Sequence, residues 1–214
     1  METNECVPDD VFIPFDRTAE LAIHGRHLPH WRQDGVTYFV TFRLADSVPR
    51  SKVRSWKEER EQWLKRHPKP WSIEEMRSYG DFYQRFEKWL DAGDGSRILA
   101  DKRAGELVAS ALHHFDGERY ILDSYTIMPN HVHVLVRAYD AEDLSKHLHT
   151  WKSFTAHELN KLLHRSGTVW QGESFDHIVR SAPHLEHFRK YIEENPRKAG
   201  IASGYLIGCG LGVK

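Results

Sequence analysis

The sequence predicts an α+β fold, in which an antiparallel sheet is backed by helices and the first strand is followed by a helical insertion. Residues 36–44 are rich in β-branched and aromatic side chains and alternate as a strand does. Two further strand patterns, at residues 119–128 and 131–137, are separated only by Pro129 and Asn130. So short a gap predicts an antiparallel hairpin.

The other core elements follow in order along the chain. A helical pattern at residues 101–115 precedes the hairpin, and a longer one at residues 144–163 follows it. A short strand is predicted at residues 175–180 and a final helix at residues 183–195, which should end before Pro196 because proline disrupts a helix. The order strand, helix, strand, strand, helix, strand is that of the split βαβ, or ferredoxin-like, arrangement.

The insertion consists of two predicted helices, at residues 51–65 and at about residues 72–90. Ser72 and Glu75 have the spacing of a capping box, which predicts the start of the second helix. Phe82, Phe86, Trp89 and Leu90 lie on one face of that helix, and we interpret this aromatic stripe as core packing.

These patterns divide the chain into three parts. We expect an N-terminal arm at residues 1–30 and a main domain at residues 31–202, with the insertion at about residues 49–92. Residues 203–214, which are rich in glycine, should form a tail that runs over the surface.

Composition excludes several classes of protein. No apolar run approaches the roughly 20 residues of a membrane span, and the acidic N-terminus lacks the layout of a signal peptide, so we expect a cytoplasmic protein without a membrane partner. Two cysteines cannot build a disulfide framework. The net charge of −1, with 15 histidines counted as neutral, is unlike that of a strongly basic nucleic-acid binder, although local basic patches can act within a neutral total.

Two histidines give the sharpest chemical signal. His131 and His133 lie two residues apart on a predicted strand and therefore project from the same face. Two imidazoles side by side form half of a metal site. Paired surface histidines on an edge strand are the alternative, but the apolar residues around this pair indicate a central strand.

A phenol and an amide lie four residues apart on the final predicted helix. Tyr191 and Asn195 therefore share one face. The Asn195 side-chain oxygen suits Mg²⁺ or Mn²⁺, and a phenol oxygen can attack a phosphodiester beside a metal. Taken singly, Tyr191 would be a packing aromatic and Asn195 a residue that ends a helix.

The combination resembles the HUH single-tyrosine transposases, which carry a histidine–hydrophobic–histidine strand, and within them the REP-associated tyrosine transposases. The phrases that carry the resemblance are Met128 to His133, Trp170-Gln171 with Asp176 to Arg180, and Tyr191 to Gly200. The resemblance extends over residues 36–202 apart from the helical insertion, so the main domain would be the catalytic one.

The resemblance implies a metal-dependent reaction on DNA. His131, His133 and Asn195 would bind the divalent metal, Mg²⁺ or Mn²⁺, although many relatives outside this branch have glutamine where Asn195 stands. Tyr191 would attack the backbone and leave a covalent 5′-phosphotyrosine and a free 3′-hydroxyl. The substrate would be single-stranded DNA near a hairpin, a REP-like palindrome, and a homodimer is a possible assembly.

Other polar and aromatic positions are candidate DNA contacts. The alternatives for them are a solvated helix face, structural hydrogen bonds and core packing. The set comprises Lys152, Ser153, Trp170, His177, Arg180, Arg197 and Lys198.

Two other functions fit the same residues. A metal-dependent hydrolase would use His131 and His133 with a bound water, and Tyr191 would then be dispensable. A catalytically inactive regulatory protein would bind hairpin DNA without cleaving it. For either metal-dependent reaction the histidines must be neutral, so we expect activity to fall below about pH 6, near the usual histidine pKa.

Overall fold

The computed structural model describes residues 12–16, 18, 22–25, 29–68, 70–139 and 144–210. Most of the predicted N-terminal arm and the last four residues lie outside this range. The structure contains seven strands, β1 to β7, and five α-helices, α1 to α5, within the described residues. The strands are β1 Ala22–Gly25, β2 Pro29–Arg32, β3 Thr37–Arg43, β4 Tyr120–Ile127, β5 His131–Ala138, β6 Phe175–Ile178 and β7 Leu206–Cys209. The helices are α1 Arg50–Arg66, α2 Ile73–Asp91, α3 Lys102–His113, α4 Leu144–Leu162 and α5 Ala182–Lys198.

The main sheet has five antiparallel strands in the order β6-β3-β5-β4-β7. Its first four strands have the order of the split βαβ arrangement, so the predicted fold class is confirmed. The hairpin of β4 and β5 forms as expected, and β5 lies at the centre of the sheet between β3 and β4.

The two faces of the sheet bury different side chains. Val132, Val134 and Val136 of β5 belong to the large core that includes α3 and α4. Leu135 and Phe39 pack against α5 on the opposite face. Because side chains alternate along a strand, His131 and His133 share the face of Leu135 and point toward α5.

The helical insertion forms its own small core. Trp56 of α1 packs with Phe86 and Leu90 of α2, and Phe175 of β6 contacts this cluster. The predicted capping box is present: the Ser72 side chain accepts from the Glu75 amide, and the Glu75 carboxylate accepts from the Ser72 amide. The aromatic stripe therefore packs as expected, and it ties the insertion to the edge of the sheet.

Two predictions about the C-terminal part of the chain are wrong. The expected surface tail contains β7, which pairs with β4 from Ser124 to Ile127 and so satisfies backbone groups that would otherwise form an open edge. Helix α5 does not stop at Pro196 but continues to Lys198. The Ala199 amide still donates to the Asn195 carbonyl at 2.9 Å, so the missing proline N–H does not end the helix.

Near the N-terminus, β1 and β2 pair as a two-stranded antiparallel ribbon within the region expected to be an arm. The Arg32 side chain at the end of β2 forms an ion pair with Asp176 of β6, which connects the ribbon to the main sheet. None of the helices in the described ranges has the length and apolarity needed to cross a bilayer.

The close approach of the chain after β7 to β4 gives a test of the C-terminal docking. A side chain at Gly210 would overlap the Leu122 carbonyl oxygen, whereas one at Gly80, in the middle of α2, would meet nothing within 4 Å. We expect Gly210→Ala to lower the free energy of unfolding by about 1–3 kcal/mol through overpacking. Gly80→Ala should raise it by about 0.5–1 kcal/mol, because alanine is the better helix former. Urea unfolding of both variants measures this, and equal stabilities would contradict the docking of β7.

Candidate active site

His131 and His133 form a fully buried pair on the central strand. Both residues have no solvent-exposed surface, and their Nε2 atoms lie 3.0 Å apart. The register of β3 and β5 places Thr41 beside His133. A fixed strand therefore directs two imidazole nitrogens to one point between the sheet and α5.

The other nitrogen of each ring is held by a neighbouring polar side chain. His131 Nδ1 lies 2.7 Å from the Asn130 side-chain oxygen, and His133 Nδ1 lies 2.8 Å from the Thr41 hydroxyl. Because an amide oxygen only accepts, His131 donates from Nδ1 and its Nε2 carries the lone pair. Thr41 can accept from His133 in the same way. Such partners fix ring orientation at metal sites.

Burial keeps the two imidazoles neutral. It lowers the pKa of His131 to about 3. The pKa of His133 lies well below its ordinary value, through burial and then through the adjacent His131. Neutral histidine is the form that binds a metal. Loss of the neutral form is therefore expected at a lower pH than the value of about 6 that the ordinary pKa suggests.

The Tyr191 hydroxyl lies against this pair. Its ring packs edge-on against His133 and Phe39, with centroid separations of 5.2 and 5.7 Å. The hydroxyl donates to Glu87 Oε2 at 2.8 Å. Burial and the charge of Glu87 raise the pKa of Tyr191 above its usual range, so the phenol is protonated in this arrangement.

Asn195 lies one turn farther along α5 and is 1% exposed. Its Oδ1 is buried and has no hydrogen-bond partner. Burial raises the pKa of Asp91 to about 6, and the nearby Asn195 side chain opposes this rise. Because Oδ1 accepts no hydrogen bond, it is a candidate ligand atom.

These donors fit a divalent cation. The 3.0 Å separation of the two Nε2 atoms matches adjacent ligands at about 2.1 Å and a right angle, as in octahedral coordination. Within the described ranges, no three or more histidine, cysteine, aspartate or glutamate side chains are grouped so that they could hold a metal ion. Beyond the two imidazoles, the buried Asn195 oxygen without a partner is a further candidate ligand.

Three of the predicted DNA contacts lie on the α5 side of the sheet. Lys198 Nζ lies 5.9 Å from the centre of the Tyr191 ring and pairs with Glu194 at 2.8 Å. Arg197 is exposed, and its Nη2 atom lies 3.4 Å from Glu194 Oε1. His177 is opposite Phe39 in the register of β3 and β6, so it shares the face of the histidine pair.

The remaining predicted contacts lie elsewhere. Arg180 follows β6 and is exposed. Lys152 and Ser153 belong to α4, which packs on the opposite face of the sheet, and Lys152 donates to the Gly172 carbonyl at 2.8 Å.

Trp170 requires a correction. It is 5% exposed, donates from its indole nitrogen to Thr155 at 2.8 Å and packs against Phe42 in the core. A buried ring cannot stack on a base, so we remove Trp170 from the DNA-binding set.

Four site residues were missed in the sequence. Thr41 and Asn130 hold the imidazoles, and Glu87 and Asp91 come from α2 of the insertion. Asn130 stands directly before His131, and Glu87 and Asp91 are acidic residues four apart beside an apolar stripe. That spacing was a usable signal, because a carboxylate next to buried aromatics needs a polar partner.

The buried histidines predict how stability depends on pH. The unfolded chain binds protons on these histidines below about pH 6.5, whereas the native pair does not. The free energy of unfolding, measured without metal, should therefore fall between pH 7 and pH 5, by up to about 2 kcal/mol for each histidine.

In urea unfolding with EDTA, the free energy of unfolding of the double variant His131→Gln/His133→Gln should change less steeply with pH over this range. Substitution of the exposed His157 by glutamine serves as the control and should leave the slope unchanged. A double variant with the wild-type slope would contradict the buried, neutral state of the pair.

Two transposases are among the solved structures to which this chain is distantly similar. The structure of a REP-associated tyrosine transposase bound to a REP hairpin shares 14% identity, with 81% of this chain and 75% of that chain covered and a TM-score of 0.41. A putative transposase from Deinococcus radiodurans R1 shares 16% identity, with 74% and 89% covered and a TM-score of 0.30. No curated protein matches the sequence.

A family match identifies the segment that carries the site. Residues 97–195 match the family described as "Transposase IS200 like". The matched segment contains the histidine pair, Tyr191 and Asn195, and it confirms the single-tyrosine transposase family predicted from the sequence. Residues 97–195, just under half of the chain, are therefore similar to the IS200-like transposases.

Proposed function

We propose that the protein is a metal-dependent DNA transposase of the REP-associated branch, which cleaves and rejoins single-stranded DNA near a hairpin. The observation that carries the proposal is the Tyr191 phenol, which lies in a buried site against a pair of neutral imidazoles. The branch rests on the sequence phrases around His131 and Tyr191.

The reaction is a transesterification with Tyr191 as the nucleophile. The phenol oxygen attacks the scissile phosphorus, and a bond from phosphorus to that oxygen forms while the bond to the 3′-oxygen breaks. The phenol proton is balanced by the proton gained at the released 3′-hydroxyl. The product is a 5′-phosphotyrosine, and attack by a different 3′-hydroxyl reverses the step and joins strands without an external energy source.

His131, His133 and Asn195 are the proposed ligands of Mg²⁺ or Mn²⁺. When bound, the cation polarises the phosphate and stabilises the leaving oxygen. Asn130 and Thr41 hold the imidazoles with Nε2 directed inward. Phe39 packs on both the His133 and Tyr191 rings and keeps the two groups in contact.

The proposed DNA path runs along the face of α5. Lys198 and Arg197 at the end of this helix would contact phosphates beside Tyr191. His177 and Arg180 extend the path along β6, whereas Lys152 and Ser153 could reach only DNA that passes around the sheet to α4. With one nucleophile per site, the two strand exchanges need either two rounds of reaction or two copies of the chain. The proposal therefore includes a homodimer.

The nucleophile can be tested directly. We expect wild-type protein, incubated with Mn²⁺ and labelled single-stranded DNA from the region flanking the gene, to form an adduct that survives denaturation. Tyr191→Phe should abolish the adduct, because phenylalanine lacks the attacking oxygen, and EDTA should do the same. Denaturing gel electrophoresis measures the labelled protein.

Tyr139→Phe is the matched control, since Tyr139 follows the far end of β5 and its hydroxyl donates to the Gly117 carbonyl. It should form the adduct as the wild type does. Hairpin binding without any adduct would instead support a regulatory protein, and turnover retained in Tyr191→Phe would support a metal-dependent hydrolase.

The residues that hold the imidazoles can be tested through metal binding alone. Thr41→Val removes the hydroxyl that faces His133 Nδ1 and should weaken Mn²⁺ binding by about 10- to 100-fold in titration calorimetry. Thr126→Val is the matched control: Thr126 lies opposite His133 on the other neighbouring strand, is buried, and its hydroxyl has no partner. Equal affinities of the two variants would argue against the role of Thr41.

A further inference from the structure

The end of the helical insertion reaches the active site. Glu87 of α2 is 6% exposed, although a carboxylate is costly to bury unless it is hydrogen-bonded. One of its oxygens, Oε2, accepts from the Tyr191 hydroxyl at 2.8 Å and lies 3.5 Å from His133 Nε2. This single atom therefore connects the attacking group with a proposed metal ligand.

A second polar residue of each helix lies one turn away. Glu87 and Asp91 are four residues apart on α2, and Tyr191 and Asn195 are four residues apart on α5. Glu87 accepts a hydrogen bond from Tyr191, and Asp91 lies close enough to Asn195 for that side chain to lower its pKa. Residues at this spacing share a helix face, so Asp91 lies on the face of α2 that carries Glu87.

The insertion is anchored on the same motif that supplies the histidines. The Asn130 amide nitrogen donates to the carbonyls of Leu90 and Asp94 at 3.0 and 3.2 Å, and its oxygen accepts from His131. The end of α2 is thus fixed to the start of β5. The Asn130 side chain therefore holds the end of α2 relative to the histidine pair, in addition to the contacts of Glu87 itself.

We propose that Glu87 is a positioning residue for the nucleophile: the insertion holds the Tyr191 hydroxyl beside the histidine pair through this carboxylate. The inference rests on the proposed function, because it assigns Glu87 a role in the attack by Tyr191. The helical insertion is therefore part of the active site in this chain.

Two substitutions separate a hydrogen-bond role from a general structural one. Glu87→Gln keeps an oxygen that can accept from Tyr191, whereas Glu87→Ala removes it. Glu74→Ala, at an exposed position in the first turn of the same helix, is the control. Urea unfolding identifies any variant whose loss of activity reflects loss of the fold.

The first readout is the environment of the phenol and needs no DNA. The eight tyrosines are labelled with 3-fluorotyrosine, and Tyr191→Phe assigns the ¹⁹F resonance of Tyr191. We expect that resonance to shift or broaden in Glu87→Ala, to remain close to its wild-type position in Glu87→Gln, and to be unchanged in Glu74→Ala. An unchanged resonance in Glu87→Ala would overturn the proposal.

The second readout is the first-order rate of adduct formation at saturating Mn²⁺ and single-stranded DNA. Glu87→Ala should lower this rate by about 10- to 100-fold, the effect of misplacing a reacting group, without changing the Kd for DNA. Glu87→Gln should restore most of the rate. A wild-type or faster rate in Glu87→Ala, or an equal loss in Glu87→Gln, would overturn the proposal.

The two proposals fail in different ways. If wild-type protein forms no adduct, the proposed function fails, and the ¹⁹F resonance alone decides whether Glu87 positions Tyr191. If wild type forms the adduct and Glu87→Ala does so equally well, the proposed function stands and the role of Glu87 is rejected.

Discussion

The site depends on the burial of two neutral imidazoles on the central strand. A buried imidazole needs partners for its nitrogens, and here each Nδ1 faces a polar side chain while the Nε2 atoms face each other at 3.0 Å. One of those partners, Asn130, also binds two carbonyls at the end of α2. The need to satisfy one histidine therefore fixes the position of the helical insertion relative to the sheet.

The proposed cation would have a second role, because the carboxylates of the site are negatively charged. Glu87 lies beside the phenol and Asp91 beside Asn195, so a DNA phosphate bound here under the proposed function would meet negative charge of its own sign. Lys198 and Arg197 offset this only partly, since both pair with Glu194. A divalent ion between the histidines and the phosphate would reverse the local sign. The near-neutral net charge of the chain is compatible with DNA cleavage on this basis.

The sequence predicted those elements whose determinants are local. The alternation in β3, the short β4–β5 connection and the Ser72–Glu75 box each act within a few residues, and all three are present. Strand β7 was missed because its pairing partner lies about eighty residues earlier and its glycines resemble those of a loop. The end of α5 was predicted too early because Pro196 was expected to break the helix. Proline removes only its own N–H, and the Ala199 amide after it still bonds within the helix.

The residues of the candidate site also fall into two groups, those that local spacing predicts and those that it does not. The spacing of His131 and His133 on a strand, and of Tyr191 and Asn195 on a helix, specifies which side chains share a face before any tertiary contact is known. Glu87 could not be placed in this way, because Tyr191 lies 104 residues away and α2 shows locally only an apolar stripe interrupted by an acid. A buried carboxylate on an otherwise apolar helix face requires a distant polar partner. In this chain a distant partner of the Glu87 carboxylate is the buried phenol of Tyr191.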